Sequence, residues 1–79
     1  MLTRLKEGKK VVGTKQSMRA VRAGEAAVVY LALDADPMQT DPMRVLCVQM
    51  GVELVEVSTM ELIGRACGVK GAALAVVLA

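Results

Sequence analysis

Histidine, tryptophan and phenylalanine do not occur in this chain, and Tyr30 is its one aromatic residue. Without histidine there is no side chain that ordinarily exchanges a proton near neutral pH, and the commonest metal ligand is missing as well. Much acid–base enzymology is thereby excluded. The scarcity of aromatics removes the stacked platforms on which single-strand RNA modules rest successive bases. Cysteine is scarce too. Cys47 and Cys67 form no CxxC pair and have no histidine to join them, which argues against a zinc site or a dithiol redox motif and reads both as small buried apolar residues. Proline occurs twice and no tract is of low complexity, so composition carries no sign of disorder. The longest apolar run, residues 72–79, is far shorter than the roughly 20 residues of a membrane-spanning helix, and no apolar leader with a cleavage site opens the chain. The expectation is a reduced, cytoplasmic protein without a membrane or a cofactor.

What is present suits one small folded domain over residues 1–79. The hydrophobic fraction is 54% and the charged fraction 23%, enough apolar surface for a modest core. Net charge is only +2, so attraction to a polyanion must come from where the ten Lys and Arg lie. Six of them, Arg4, Lys6, Lys9, Lys10, Lys15 and Arg19, precede residue 20, while most acids fall later.

Read in order, Leu2 and Leu5 suit a short leading helix over residues 2–7, and Lys9-Lys10-Val11-Val12 a first strand broken by Gly13. A helix over residues 14–23 follows, with Thr14 as N-cap. It turns Met18, Ala20 and Val21 inward and Lys15, Arg19 and Arg22 outward, and Gly24 closes it. The apolar run over residues 26–33 is the mark of a strand buried on both faces. Thr40-Asp41-Pro42 reads as the opening of the next helix, whose buried stripe is Met43, Leu46 and Met50 with Cys47 beside them; Gly51 stops it. Residues 52–57 alternate as a strand. Ser58-Thr59-Met60-Glu61 has capping-box spacing for a helix that ends at Cys67-Gly68, and residues 71–78 read as a final buried strand. Helices alternating with strands predict an α/β domain with helices covering both faces of one sheet.

Three loops of such a domain are candidates for a ligand site: Gly13-Thr14-Lys15-Gln16, Asp34-Ala35-Asp36-Pro37 and Gly68-Val69-Lys70-Gly71. In the first, a glycine turn opens a helix whose N-terminal N–H groups and partial positive charge suit an anion, with Lys15, Arg19 and Arg22 at i, i+4 and i+7 on one face. A basic stripe on a short helix is commonly just a solvated face. Asp34 and Asp36 have the chemistry of a magnesium or acid–base pair, yet no third carboxylate converges on them in sequence, and aspartate commonly serves turns and caps.

Taken together, Gly13-Thr14-Lys15-Gln16-x-x-Arg19, the buried strand closing on Asp34-Ala35-Asp36-Pro37, and Gly64-Arg65-Ala66-Cys67-Gly68-Val69 resemble the kink-turn RNA-binding ribosomal proteins, relatives of archaeal L7Ae and eukaryotic L30e. The similarity runs along nearly the whole chain and in size is nearest the small bacterial members. It implies a three-layer α-β-α sandwich around a mixed four-stranded sheet. It also implies a non-enzymatic, monomeric RNA binder. Its partner would be a duplex bent sharply at a bulge beside tandem sheared G·A pairs, in ribosomal RNA or a riboswitch, with no small-molecule substrate. On matching positions, Gly13 would admit close backbone approach and Thr14 would face phosphate. Lys15, Gln16 and Arg19 would reach guanine edges or backbone, and Val69 and Lys70 would cover the bulged nucleotides. The chain departs from the family pattern at Lys15-Gln16, where many members carry Asn-Glu, and at Met60, where some carry Lys; its last loop is a residue or two shorter. A protein-interaction or ribosome-assembly module on the same fold is the alternative reading. A small nucleotide-binding enzyme using Gly13-Thr14-Lys15 for phosphate and Asp34 with Asp36 for magnesium comes third, because Gly-Thr-Lys falls well short of a full Walker sequence.

Overall fold

Eight elements alternate along the chain in the computed structural model, which describes residues 2–79. They are α1 (Thr3–Glu7), β1 (Lys10–Val12), α2 (Thr14–Arg22), β2 (Ala26–Ala32), α3 (Pro37–Met50), β3 (Glu53–Val57), α4 (Met60–Cys67) and β4 (Leu74–Leu78). The strands form one mixed sheet in the order β1-β4-β2-β3, with β4 antiparallel to both neighbours and β2 parallel to β3. α3 and α4 both pack on β2 and β3 from opposite sides. α2 lies beside α3 in one outer layer, and α1 beside α4 in the other. This is the three-layer sandwich on a mixed sheet that the resemblance implied.

The two interior strands explain the apolar runs in the sequence. Val28, Val29, Tyr30, Leu31 and Ala32 of β2 are all buried, as are Leu74, Ala75, Val76 and Val77 of β4, because each strand has helices over both faces. Tyr30 is thus a core residue and is not available to stack on a base. No helix among the described residues is long and apolar enough to cross a membrane.

Several local readings need correction. α3 starts at Pro37, not at Thr40. Asp36 is its N-cap, accepting the Met38 N–H at 2.9 Å, and Pro37 takes the first helical position, where its missing N–H is harmless. Pro42 consequently sits inside the helix. The buried face of α3 is Thr40, Met43 and Cys47, whereas Leu46 is half-buried and Met50 is exposed. The last strand begins at Leu74; residues 71–73 belong to the connection that precedes it. Glu61 closes no capping box. Thr59 is the cap of α4, its hydroxyl accepting the Leu62 N–H at 3.2 Å. Cys47 is buried and Cys67 half-buried, and burial pushes both thiols up, with Lys10 drawing Cys67 partly back down. Both are therefore protonated and poorly nucleophilic at neutral pH.

Ser17 on the inner face of α2 is fully buried, and its hydroxyl has no hydrogen-bond partner among the described residues. An unmatched buried hydroxyl is destabilising, and alanine fills nearly the same space. Ser17→Ala should raise the urea midpoint, with a gain of about 1 kcal/mol.

Candidate nucleic-acid interface

The sheet brings the three loops to one edge. β1, β2 and β3 run the same way, so their C-terminal ends, and the starts of α2, α3 and α4 that follow them, all lie at that edge. β4 runs against them and begins there. Its first residue, Leu74, accepts the Gly13 N–H at 2.9 Å, and Ala73 accepts the Ala32 N–H at 2.9 Å. Gly13, the residues leading into β4, the β2–α3 loop and the start of α4 therefore sit side by side across the sheet. Ligands of α/β sheets gather where strands end and helices begin, and a helix N-terminus with no carboxylate on it presents partial positive charge there.

The three helix starts differ in one respect. α3 is capped by Asp36. α4 is capped twice, by Thr59 on Leu62 and by Asp34, whose carboxylate accepts the Met60 N–H at 2.8 Å. Among the described residues no side chain caps α2. The Thr14 cap expected from the sequence is not made, because Thr14 is already the first helical residue and Gly13 occupies the cap position with φ 103° and ψ 156°. The chain has only that residue in which to turn from β1 into α2 while Gly13 stays bonded to Leu74, and glycine alone adopts such angles readily. Among the described residues the backbone N–H groups of Thr14, Lys15 and Gln16 make no hydrogen bond, and the first such group of the helix to be satisfied is that of Ser17, on Gly13. These are free donors at the end of a helix dipole.

Around them stand the cations. Lys15 and Arg19 are exposed, and Arg22 is exposed one turn further on; none of the three forms an ion pair among the described residues. The remaining N-terminal charge is partly committed elsewhere. Arg4 pairs with Glu53 at 3.4 Å, and the Lys10 ammonium bonds the Lys6 carbonyl at 3.1 Å at the end of α1. Gln16 is exposed beside Lys15, and Thr14 is half-buried. A Cβ added at Gly13 would meet nothing within 4 Å among the described residues, so this side of the backbone is open. Gly13→Ala should nonetheless lower stability by about 1–3 kcal/mol, read as a fall in Tm, because its φ strains any side chain.

The third loop is held by glycine. A Cβ at buried Gly64 would lie 2.5 Å from the Gly71 Cα and 2.8 Å from the Lys70 carbonyl carbon, so the loop rests directly on the bare backbone of α4. The Val69 N–H donates to the Gly64 carbonyl at 2.8 Å and the Ala72 N–H to the Met60 carbonyl at 3.2 Å. This presents Val69, 47% exposed, and Lys70 outward. In the sequence Gly64 stands out only as part of the motif shared with the family, with no packing role assigned to it; an isolated glycine inside a helix, seven residues before another, is the signal of such an approach. Asp34 and Asp36 are brought close to the same edge, but each carboxylate is already bonded to a helix N–H, the cap role rather than the magnesium role.

A helix start with free backbone donors, exposed cations that form no ion pair among the described residues, and a clasped loop thus lie together at one end of the sheet of an α-β-α domain. Comparison with known proteins narrows this. Residues 2–79 match the Ribosomal protein L7Ae/L30e/S12e/Gadd45 family, and the chain belongs to that family. It is 39% identical over 74 residues to a protein of Geobacillus sp. (strain WCH70) named as RNA-binding, spanning 94% of this chain and 90% of that one. It is 40% identical over 61 residues to another so named from Caldanaerobacter subterraneus subsp. tengcongensis, spanning 77% of this chain and 74% of the relative. Among solved structures, the Giardia lamblia 15.5kD RNA binding protein superposes with a TM-score of 0.92 at 27% identity, covering 99% of this chain and 70% of that one.

Proposed function

We propose that this protein is a non-enzymatic RNA-binding protein that recognises kink-turn RNA through the edge where α2 begins. The observation that carries the reading is the start of α2, where, among the described residues, the backbone donors of Thr14, Lys15 and Gln16 are free and exposed Lys15 and Arg19 form no ion pair. The RNA-binding names of its relatives support the partner class. An ordinary A-form major groove is too deep and narrow for side chains to read, so a sharp bend that widens it acts as the filter for shape. In this reading the α2 start enters that groove. Gly13 and Thr14 lie against phosphate, Lys15 and Arg19 donate to the O6 and N7 acceptors of guanine, and Gln16 offers a donor and an acceptor together. Val69 covers a bulged base and Lys70 a phosphate. The protein acts as a cytoplasmic monomer on ribosomal RNA or a riboswitch.

Calorimetric titration tests this with two RNAs, a kink-turn and the same duplex with its tandem G·A pairs replaced by Watson–Crick pairs. Tight binding to the first and weak, steeply salt-dependent binding to the second is the expected result. Equal affinity for both would remove kink-turn recognition from the account.

A further inference from the structure

Asp34 presents a problem that the proposed function sharpens. It is an exposed carboxylate on the edge that is to meet phosphate, where a negative charge repels the partner. Its local duty is not obvious either, since α4 already has a cap of its own in Thr59. The hydrogen bonds around it supply a reason. Asp34 Oδ1 accepts the N–H of Met60, 26 residues away in sequence, and the carbonyl of the same Met60 accepts the N–H of Ala72. Met60 is thereby gripped at both ends, on one side by the β2–α3 loop and on the other by the loop that leads into β4. The Asp34 side is itself anchored, because the Leu33 N–H donates to the Val57 carbonyl at 2.8 Å and the Ala35 N–H to the Ala32 carbonyl at 3.3 Å. The far side is anchored by the contact of Gly64 with Gly71.

We infer that Asp34 is a positioning residue for RNA recognition: through Met60 it fixes the height of the loop carrying Val69 and Lys70 relative to the start of α2. This rests on the proposed function for its consequence in binding, but not for its consequence in the loop. What the position requires is an acceptor, not a charge. The carboxylate supplies that acceptor together with a favourable interaction with the α4 dipole. Asparagine keeps an acceptor oxygen at the same place and removes the repulsion from phosphate.

The test compares the intact protein with Asp34→Ala and Asp34→Asn, in two measurements made where circular dichroism shows all three folded. In the first, amide hydrogen exchange without RNA, Asp34→Ala should speed exchange at Met60 and at Ala72 by about tenfold or more, with Asp34→Asn near the parent. Unchanged exchange at Ala72 in Asp34→Ala would overturn the proposal whatever the protein binds. In the second, titration with kink-turn RNA, Asp34→Ala should lose about tenfold in affinity, while Asp34→Asn should match or exceed the parent. A loss of the same size in Asp34→Asn would also overturn it, since charge rather than the acceptor would then be the operative feature. Failure of the RNA reading itself shows separately, in a parent protein that does not prefer the kink-turn over its control.

Discussion

Gly64→Ala is expected to be the most damaging single-methyl change in the molecule. The added Cβ would fall 2.5 Å from the Gly71 Cα, 2.6 Å from the Gly71 nitrogen and 2.8 Å from the Lys70 carbonyl carbon, all backbone atoms with no rotamer to yield. Relief requires the loop to move as a body. That breaks the Val69 and Ala72 hydrogen bonds to α4 that hold it. Overpacking of this kind costs about 1–3 kcal/mol, and a contact with backbone belongs at the upper end. For a domain of this size each kcal/mol lowers Tm by roughly 4–8 °C, so a differential scanning measurement should show a drop of more than about 10 °C. Alanine is otherwise the better helix former by nearly 1 kcal/mol, which makes the sign of the result informative. A Tm equal to or above the parent would mean that the loop does not rest on α4 as described. Gly71→Ala is the contrast, since a Cβ there would find only ordinary contacts with Met60, the nearest at 3.6 Å.

The second large effect concerns binding. Lys15→Ala and Arg19→Ala should each weaken kink-turn binding by roughly 1–3 kcal/mol, about five- to 150-fold in Kd, if the side chain reads a guanine edge. Stability should hardly change, because both side chains are exposed and neither forms an ion pair among the described residues. The salt dependence separates two kinds of contact. A cation that only neutralises phosphate lowers the slope of log K against log salt by nearly one unit and weakens all RNAs alike; a base contact weakens the kink-turn selectively. Arg22, a turn further from the edge, should show the first behaviour or none.

Much of this architecture is legible in the sequence, for reasons that differ by element. β2 could be found because a strand covered on both faces must be apolar throughout, and residues 26–32 are. The ends of α3 and α4 could be found because Gly51 and Gly68 adopt the left-handed conformation, at φ 67° and 78°, that closes a helix. The start of α3 was ambiguous, since Asp36-Pro37 and Asp41-Pro42 present the same signal five residues apart. Its orientation was legible only in part, with Met43 and Cys47 buried as the spacing predicts and Met50 exposed against it. Met38, Val45 and Val48 are apolar yet exposed, so α3 has no clean polar face from which to infer the buried one.

The candidate residues could be named from the sequence, but not the connections among them. Gly13 was recognisable as a turn, whereas its role as an uncapped helix start depends on the pairing of β1 with β4, which brings Leu74 alongside. The same holds for Asp34 and for Gly64. Local patterns identify a cap or a helical glycine, and only the folded chain shows that Asp34 serves a helix other than the one it precedes, or that Gly71 lies against Gly64.

The most direct test of the central claim is backbone amide NMR of the labelled protein, titrated with kink-turn RNA. The largest shifts should fall on Gly13, Thr14, Lys15, Gln16 and Arg19 and on Val69, Lys70 and Gly71. The outer face of α3 around Val45 and Val48 should stay unmoved. Shifts concentrated on that α3 face, with the Thr14, Lys15 and Gln16 amides unchanged, would contradict it.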